Sequence, residues 1–384
     1  MALGLFFYLL GGMLTVPTAH AAWQPTLRVG LLSAQGSVVL TAVGTDMVLV
    51  SEQQSRPIAR LAKGESLTVD CEASSFVLAG RHVPGQTLTL RAPNDRQAEQ
   101  ASVRVNNQPY RGAVELRWTA NGITAINVVR TEDYVRAVTA EEMPPTWPAP
   151  AVEAQAVAAR TFALAHRGRH KKEGYDLCTT THCQSYHGIR SEQTGSDRAT
   201  RATYGQVLTY QGKLIEALFH TDSGGMTENS EDVWGTKIPY LRAATEVERF
   251  TQPWQKDIQA TTLVTQFRHK GDIGELKAIR LSPLHMGQAS ADRTVSGRVK
   301  QVQLVGKKGT MRVTGEDLRN AFGLRSTLFE MKLDKDTVHL HGYGWGHGLG
   351  LSQYGARAWA KTLDCTGILQ HYYHGATLKQ LYRP

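Results

Sequence analysis

The 384-residue chain has only four cysteines, Cys71, Cys178, Cys183 and Cys365. Four are too few to staple a chain of this length, so the fold has to rest on an apolar core. Charge is missing altogether from the first 21 residues, which hold no Asp, Glu, Lys or Arg. Beyond them no run of about 18 apolar residues occurs, which argues against an internal transmembrane helix. There is no Gly-x-Ser-x-Gly elbow of a serine hydrolase and no His-Glu-x-x-His of a zinc peptidase. No Lys-Ser/Thr follows the glycine-rich run near the C-terminus, so that run is not a phosphate loop. Lys and Arg are also never densely clustered. The formal net charge of +9 therefore suits attraction to anionic polymers or wall and lipid surfaces better than nucleic-acid recognition.

The uncharged start, Leu3 to Val16, is apolar apart from Gly11-Gly12 and ends in Ala19-His20-Ala21. This is the pattern of a secretory signal cut before Ala22, and it predicts an exported protein of cell wall, periplasm or exterior. Residues 22–110 read as a β-rich region. Leu27–Leu32, Ser37–Val43, Ser66–Asp70 and Thr87–Arg91 are short β-type runs separated by turn signals. Residues 111–384 read as a second, mixed part that holds the motifs described below. Asn121-Gly122 between two alternating runs predicts a hairpin. Thr131 is placed as the N-cap of a short helix over 132–138. After Pro144, Pro145, Pro148 and Pro150, the Ala-rich stretch 151–166 predicts a long helix. Val207–Tyr210 and Ile215–His220 suggest a second hairpin. A basic, strand-rich section spans 262–329 and ends in a helix capped by Thr314. Another helix is expected over 352–361. The whole is a mixed α+β pattern, β-rich with a few helices.

Four clusters carry chemistry. Glu141-Glu142 stands against a proline break. A carboxyl of raised pKa delivers a proton to a glycosidic oxygen. Hydrolases need a second carboxylate, whereas a sugar whose own hydroxyl attacks its anomeric carbon needs only one. His220-Thr-Asp-Ser223-Gly-Gly ends a strand with small residues that let backbone approach a ligand. In the run from His341 to Gly350, glycine alternates with larger residues. An extended segment would put Tyr343, Trp345 and His347 on one face, ready to stack on sugar rings. Cys178, His182 and Cys183 are zinc-type donors lacking a fourth, for which His170, His187 or His220 are candidates. A disulfide and free thiols are the alternatives.

Five blocks in order resemble the SpoIID/LytB family, named for the stage II sporulation protein D. They are Asn127–Tyr134, Glu142-Met143-Pro144, Val152–Thr161, Cys183–Gly188 with His220–Gly225, and Gly346–Ala356, covering roughly 110–382. The resemblance implies a peptidoglycan lytic transglycosylase that leaves 1,6-anhydromuramoyl ends, with Glu142 rather than Glu141 as acid/base. It implies sugar contacts from Gln184, Tyr186, His220, Ser223, His347 and Gln353, and for Arg160 either binding or structure. No cofactor is needed for that reaction. A zinc site near this Cys/His segment is known in part of the family, so the resemblance implies a structural zinc on Cys178, His182 and Cys183. The implied partners are glycan strands and wall amidases, since some members are amidase enhancers.

Overall fold

The computed structural model describes residues 24–54, 56–72 and 75–384. The expected signal segment lies outside them. Among the described residues no helix is long and apolar enough to cross a membrane. The architecture is α+β.

Seven strands form the largest sheet, in the order Leu177–Cys178, Thr26–Gln35, Gly122–Arg130, Ala113–Thr119, Thr87–Arg91, Met47–Ser51 and Ala59–Leu61. The predicted Asn-Gly hairpin is its centre, with Thr119 opposite Gly122. Thr26–Gln35 pairs antiparallel with Gly122–Arg130, so strands from both sides of residue 110 share one sheet. A six-stranded sheet built from residues 37–111 packs on it, and the inward residues of both belong to one apolar cluster. The alternating burial of Ser37–Ala42 and Thr87–Arg91 is the period-two pattern of half-buried strands.

Two helices close this core. Helix α1 (Thr131–Glu142) starts one residue earlier than a Thr131 cap would allow. The Thr131 hydroxyl instead donates to the Pro25 carbonyl at 2.6 Å and ties the helix to the first strand. Helix α2 (Ala149–Ala165) begins on Pro148 with Pro150 in its first turn, where a missing N–H costs nothing. Most of its residues are buried, and its alanines let neighbours pack close on every side.

The second hairpin turns at Gly212 but is short: beyond the Ile215 N–H, which donates to the Leu208 carbonyl at 3.3 Å, the stretch to His220 leaves Val207–Tyr210. Gln206–Tyr210 pairs with Lys213–Leu214 and with the C-terminal strand Thr377–Gln380. Phe219–His220 runs parallel to Leu351–Ser352 instead. Residues 254–342 have a separate apolar core beneath two three-stranded sheets, and Thr314 caps a helix there with a reciprocal bond to Asp317.

Candidate active site

Helix α1 ends at Glu142 because Pro144 follows Met143. A residue before proline is pushed out of the helical region, and Met143 is extended at φ −139°, ψ 133°. Its side chain is fully buried and pins the break. Glu142 is thus held half-buried at the carbonyl end of a helix, where the dipole disfavours negative charge. Its Oε1 accepts the Ser185 backbone N–H at 3.3 Å. Burial raises its pKa and the nearby Glu141 charge adds to the rise, while the Ser185 N–H and the Gln353 amide pull it back. Glu141 turns aside, to the Ser191 hydroxyl and to His187 Nδ1 at 3.3 Å. The two acids therefore separate into one retained at a raised pKa and one partnered at the surface.

Gln353, the first residue of helix α3 (Gln353–Trp359), reaches Gln155 on α2 at 3.5 Å. Its neighbours Ser352 and Tyr354 line a cavity of about 520 Å³. Glu142 is not part of that lining but adjoins it through Gln353 and through Thr146–Pro148, which form another edge. The Trp147 ring meets Tyr354 edge-on at 4.9 Å, and the Arg357 guanidinium lies 5.0 Å from the Trp147 ring. Asp222, Ser223 and Glu246 also line it, and the Ser223 N–H donates to Ser352 Oγ at 3.1 Å.

Glu246 was not legible as a site residue. Its carboxylate accepts Ser223 Oγ at 3.0 Å, Tyr372 OH at 2.8 Å and Trp359 Nε1 at 3.2 Å. Tyr372 lies on helix α4 (Cys365–Tyr372). Burial pushes Glu246 up to about 7, against the pull of its Tyr372 and Ser223 bonds. Gly355 has to be glycine for this reason: a Cβ there would stand 2.3 Å from Glu246 Oε2 and 2.2 Å from the Tyr372 oxygen.

Of the other predicted sugar contacts, Ser223 and Gln353 stand at the cavity or beside Glu142. Gln184 and Tyr186 do not line the cleft. They are 1% and 2% exposed, and their polar ends are taken up by Tyr134 OH at 3.1 Å and Asn127 Oδ1 at 2.7 Å. His220 and His347 lie beneath the 222–225 turn with ring centres 5.3 Å apart. Burial pushes both imidazoles down, His347 to about 4, with Arg298 adding to each, so both are neutral at neutral pH. His220 Nδ1 donates to the Leu349 carbonyl at 3.1 Å. The alternating glycines do not form an extended strand. Gly344, Gly346, Gly348 and Gly350 have φ between +67° and +116°, so the chain winds tightly over His220 instead of presenting one face. Trp345 is nevertheless 47% exposed, with Arg325 4.7 Å over its ring.

Arg160 is structural. It is fully buried and grips Glu132 with two bonds of 2.7 Å, and Tyr382 OH joins the same carboxylate at 2.6 Å.

The Cys/His segment gains its fourth donor from His170. The ligand atoms of His170, Cys178, His182 and Cys183 all lie within 4.8 Å of one another. Cys183 Sγ is 3.4 Å from His170 Nε2, and both sulfurs are 3.7 Å from His182 Nδ1. A tetrahedral zinc with bonds of about 2.0–2.3 Å sets ligand edges near 3.5 Å, so this donor set fits the ion. All four cysteines are free thiols.

Fold and site together define an α+β protein with an acid-bearing cleft and a four-donor Cys/His cluster. Residues 119–210 match the family model described as stage II sporulation protein (SpoIID), and 246–350 match a domain of unknown function, DUF8618. Stage II sporulation protein D of Bacillus amyloliquefaciens is 33% identical over 273 residues, 67% of this chain and 76% of the relative. That of Bacillus subtilis is 31% identical over 283 residues, covering 68% and 77%. The amidase enhancer of Bacillus subtilis is 30% identical over 288 residues, covering 64% of this chain but 40% of the relative. The chain belongs to the SpoIID/LytB family.

Proposed function

We propose that this chain is an exported lytic transglycosylase that cleaves the β-1,4 bond between N-acetylmuramic acid and N-acetylglucosamine in peptidoglycan. One observation carries the reading: a half-buried carboxyl of raised pKa that few donors hold, Glu142, stands at a helix end, joined through Gln353 to the edge of an aromatic-edged cavity within the usual size range of ligand sites. Family membership supports it.

In this chemistry protonated Glu142 gives its proton to the glycosidic oxygen as the bond from muramoyl C1 breaks. The resulting carboxylate then takes the proton of the same sugar's C6 hydroxyl while that oxygen bonds to C1. The products are a free 4-hydroxyl on N-acetylglucosamine and a 1,6-anhydromuramoyl end, with no water consumed. A carboxyl held only by one backbone N–H and one amide suits both protonation states. Digestion of purified glycan followed by muropeptide analysis tests this. Anhydro ends are expected, with Glu142→Gln losing them; reducing ends would make the protein a hydrolase.

A structural zinc on His170, Cys178, His182 and Cys183 belongs to the same reading. Four protein donors leave no open position for water, so the ion would supply folding energy to the loop and no catalytic step. Ser185, two residues past Cys183, would then be held against Glu142. Metal analysis should find zinc in the purified protein, and a chelator should lower the melting temperature. An unchanged melt with no bound metal would remove the zinc.

Similarity to the amidase enhancer favours a second reading, in which the chain binds wall glycan and stimulates a wall amidase without cutting. Amidase stimulation that survives Glu142→Gln, with no anhydro product from the parent, would select it.

A further inference from the structure

Glu246 sits between the cavity and three inward donors. A carboxylate offers about four acceptor positions. Ser223 Oγ, Tyr372 OH and Trp359 Nε1 occupy three of them from within the fold. Glu246 is nonetheless half-buried rather than buried, and it lines the cavity that adjoins Glu142. The inward donors come from three separate segments, and helix α3 accommodates the carboxylate only because position 355 lacks a side chain. A group held this firmly is presented at low reorganisation cost, as binding sites require. The other acids of the lining differ: Asp222 is engaged by the Gly224 N–H at 2.5 Å and the Thr251 hydroxyl at 2.7 Å, and Glu248 is exposed.

We infer that Glu246 is a substrate-binding residue, a fixed acceptor for a donor group of an N-acetylated glycan, either a sugar hydroxyl or an acetamido N–H. The inference rests on the proposed glycan reading and deepens it by naming a second acid that meets the ligand.

Glu246→Gln reverses the polarity of this contact. Trp359 can only donate, so the amide oxygen must stay at Oε2, and the NH₂ takes the Oε1 place beside Ser223, whose hydroxyl turns to accept it. The edge left for the ligand is then a donor. Tyr372→Phe is the control, since it removes an inward donor and leaves the cavity face intact.

The experiment uses the full chain carrying Glu142→Gln, so that no probe is consumed, above neutral pH, where Glu246 is charged. Binding of an N-acetylated chitooligosaccharide and of a cello-oligosaccharide is measured by calorimetry, alongside thermal melts. Glu246→Gln should weaken binding about ten- to a hundred-fold, the range for a hydrogen bond to a charged group. Tyr372→Phe should lower the melting temperature while changing binding less than about threefold. A loss confined to the acetylated probe assigns the acetamido N–H, and a loss for both assigns a hydroxyl. If Glu246→Gln is folded and binds within twofold of its parent, the inference is overturned. It is also overturned if Tyr372→Phe loses as much affinity as Glu246→Gln, which is what a purely structural carboxylate predicts. If the Glu142→Gln parent binds neither probe, the glycan reading itself fails.

Discussion

Glu142 and Glu246 are both half-buried and both pushed above the ordinary carboxyl range by burial, yet they are held in opposite ways. Glu142 hangs from the last turn of a helix with one backbone N–H at 3.3 Å and an amide beside it. Glu246 is gripped by a hydroxyl, a phenol and an indole at 2.8–3.2 Å. Few donors leave a carboxyl free to exchange a proton, whereas many donors fix it as an acceptor. The same side chain is therefore suited to two different jobs, and its partners decide which.

The largest effect that separates them is catalytic. Glu142→Gln should cost on the order of 10²–10⁴-fold in glycan cleavage, the usual contribution of a general acid. The melting temperature should hold, because only weak bonds to Glu142 are lost. Glu246→Gln should act chiefly through KM. Equal losses of kcat in the two variants would erase the distinction.

Next in size is the scaffold behind Glu142. Arg160→Leu leaves Glu132 buried with a charge and no cation, which typically costs about 3–5 kcal/mol. Denaturant unfolding should show that loss in full, because the pair is fully enclosed. A loss below about 1 kcal/mol would mean that the ion pair contributes little to holding α1 on α2.

The packing behind Glu246 should break more gently. Gly355→Ala drives a methyl against Glu246 Oε2 and the Tyr372 oxygen, and overpacking of this kind costs about 1–3 kcal/mol. Glycan binding should weaken with stability, since the displaced carboxylate is the proposed acceptor. A variant destabilised to this degree with unchanged binding would detach Glu246 from the ligand.

The contrast also explains what could be read from the chain alone. The Asn121-Gly122 hairpin, the Ala-rich helix and the Thr314 cap are local, so a few adjacent residues specify them. The helix stop beside the Glu141-Glu142 pair was legible from Met143-Pro144, but the choice of Glu142 over Glu141 came from the family resemblance and not from the local residues. Gln184 and Tyr186 were assigned to the sugar through the family resemblance, and the structure instead turns their polar ends to Tyr134 and Asn127, about 50 residues or more away in sequence. His170 was one of three candidate fourth donors. It joins Cys183 through a fold in which Leu177–Cys178 pairs with Val29–Gly30, which spacing does not reveal. Glu246 had no motif of its own. Its one trace was the glycine of Ser352-Gln353-Tyr354-Gly355, whose missing side chain marks the space that the carboxylate fills.

The smallest effect concerns Glu141, which shares the sequence position but not the role of its neighbour. Its negative charge adds to what burial does to Glu142. In Glu141→Gln that contribution disappears, so the Glu142 pKa falls. Cleavage begins with protonated Glu142 and is lost as pH rises through its pKa, so the alkaline limb of the kcat/KM profile should move to lower pH. The displacement should be less than about one unit, because the Glu141 side chain is 31% exposed and already paired with His187, so solvent and partner both screen it. The acid limb and the melting temperature should stay where they are. Glu246→Gln should leave the alkaline limb in place, since Glu246 is not among the groups that shift Glu142. An alkaline limb that moves with Glu246→Gln and ignores Glu141→Gln would exchange the two carboxylates' roles.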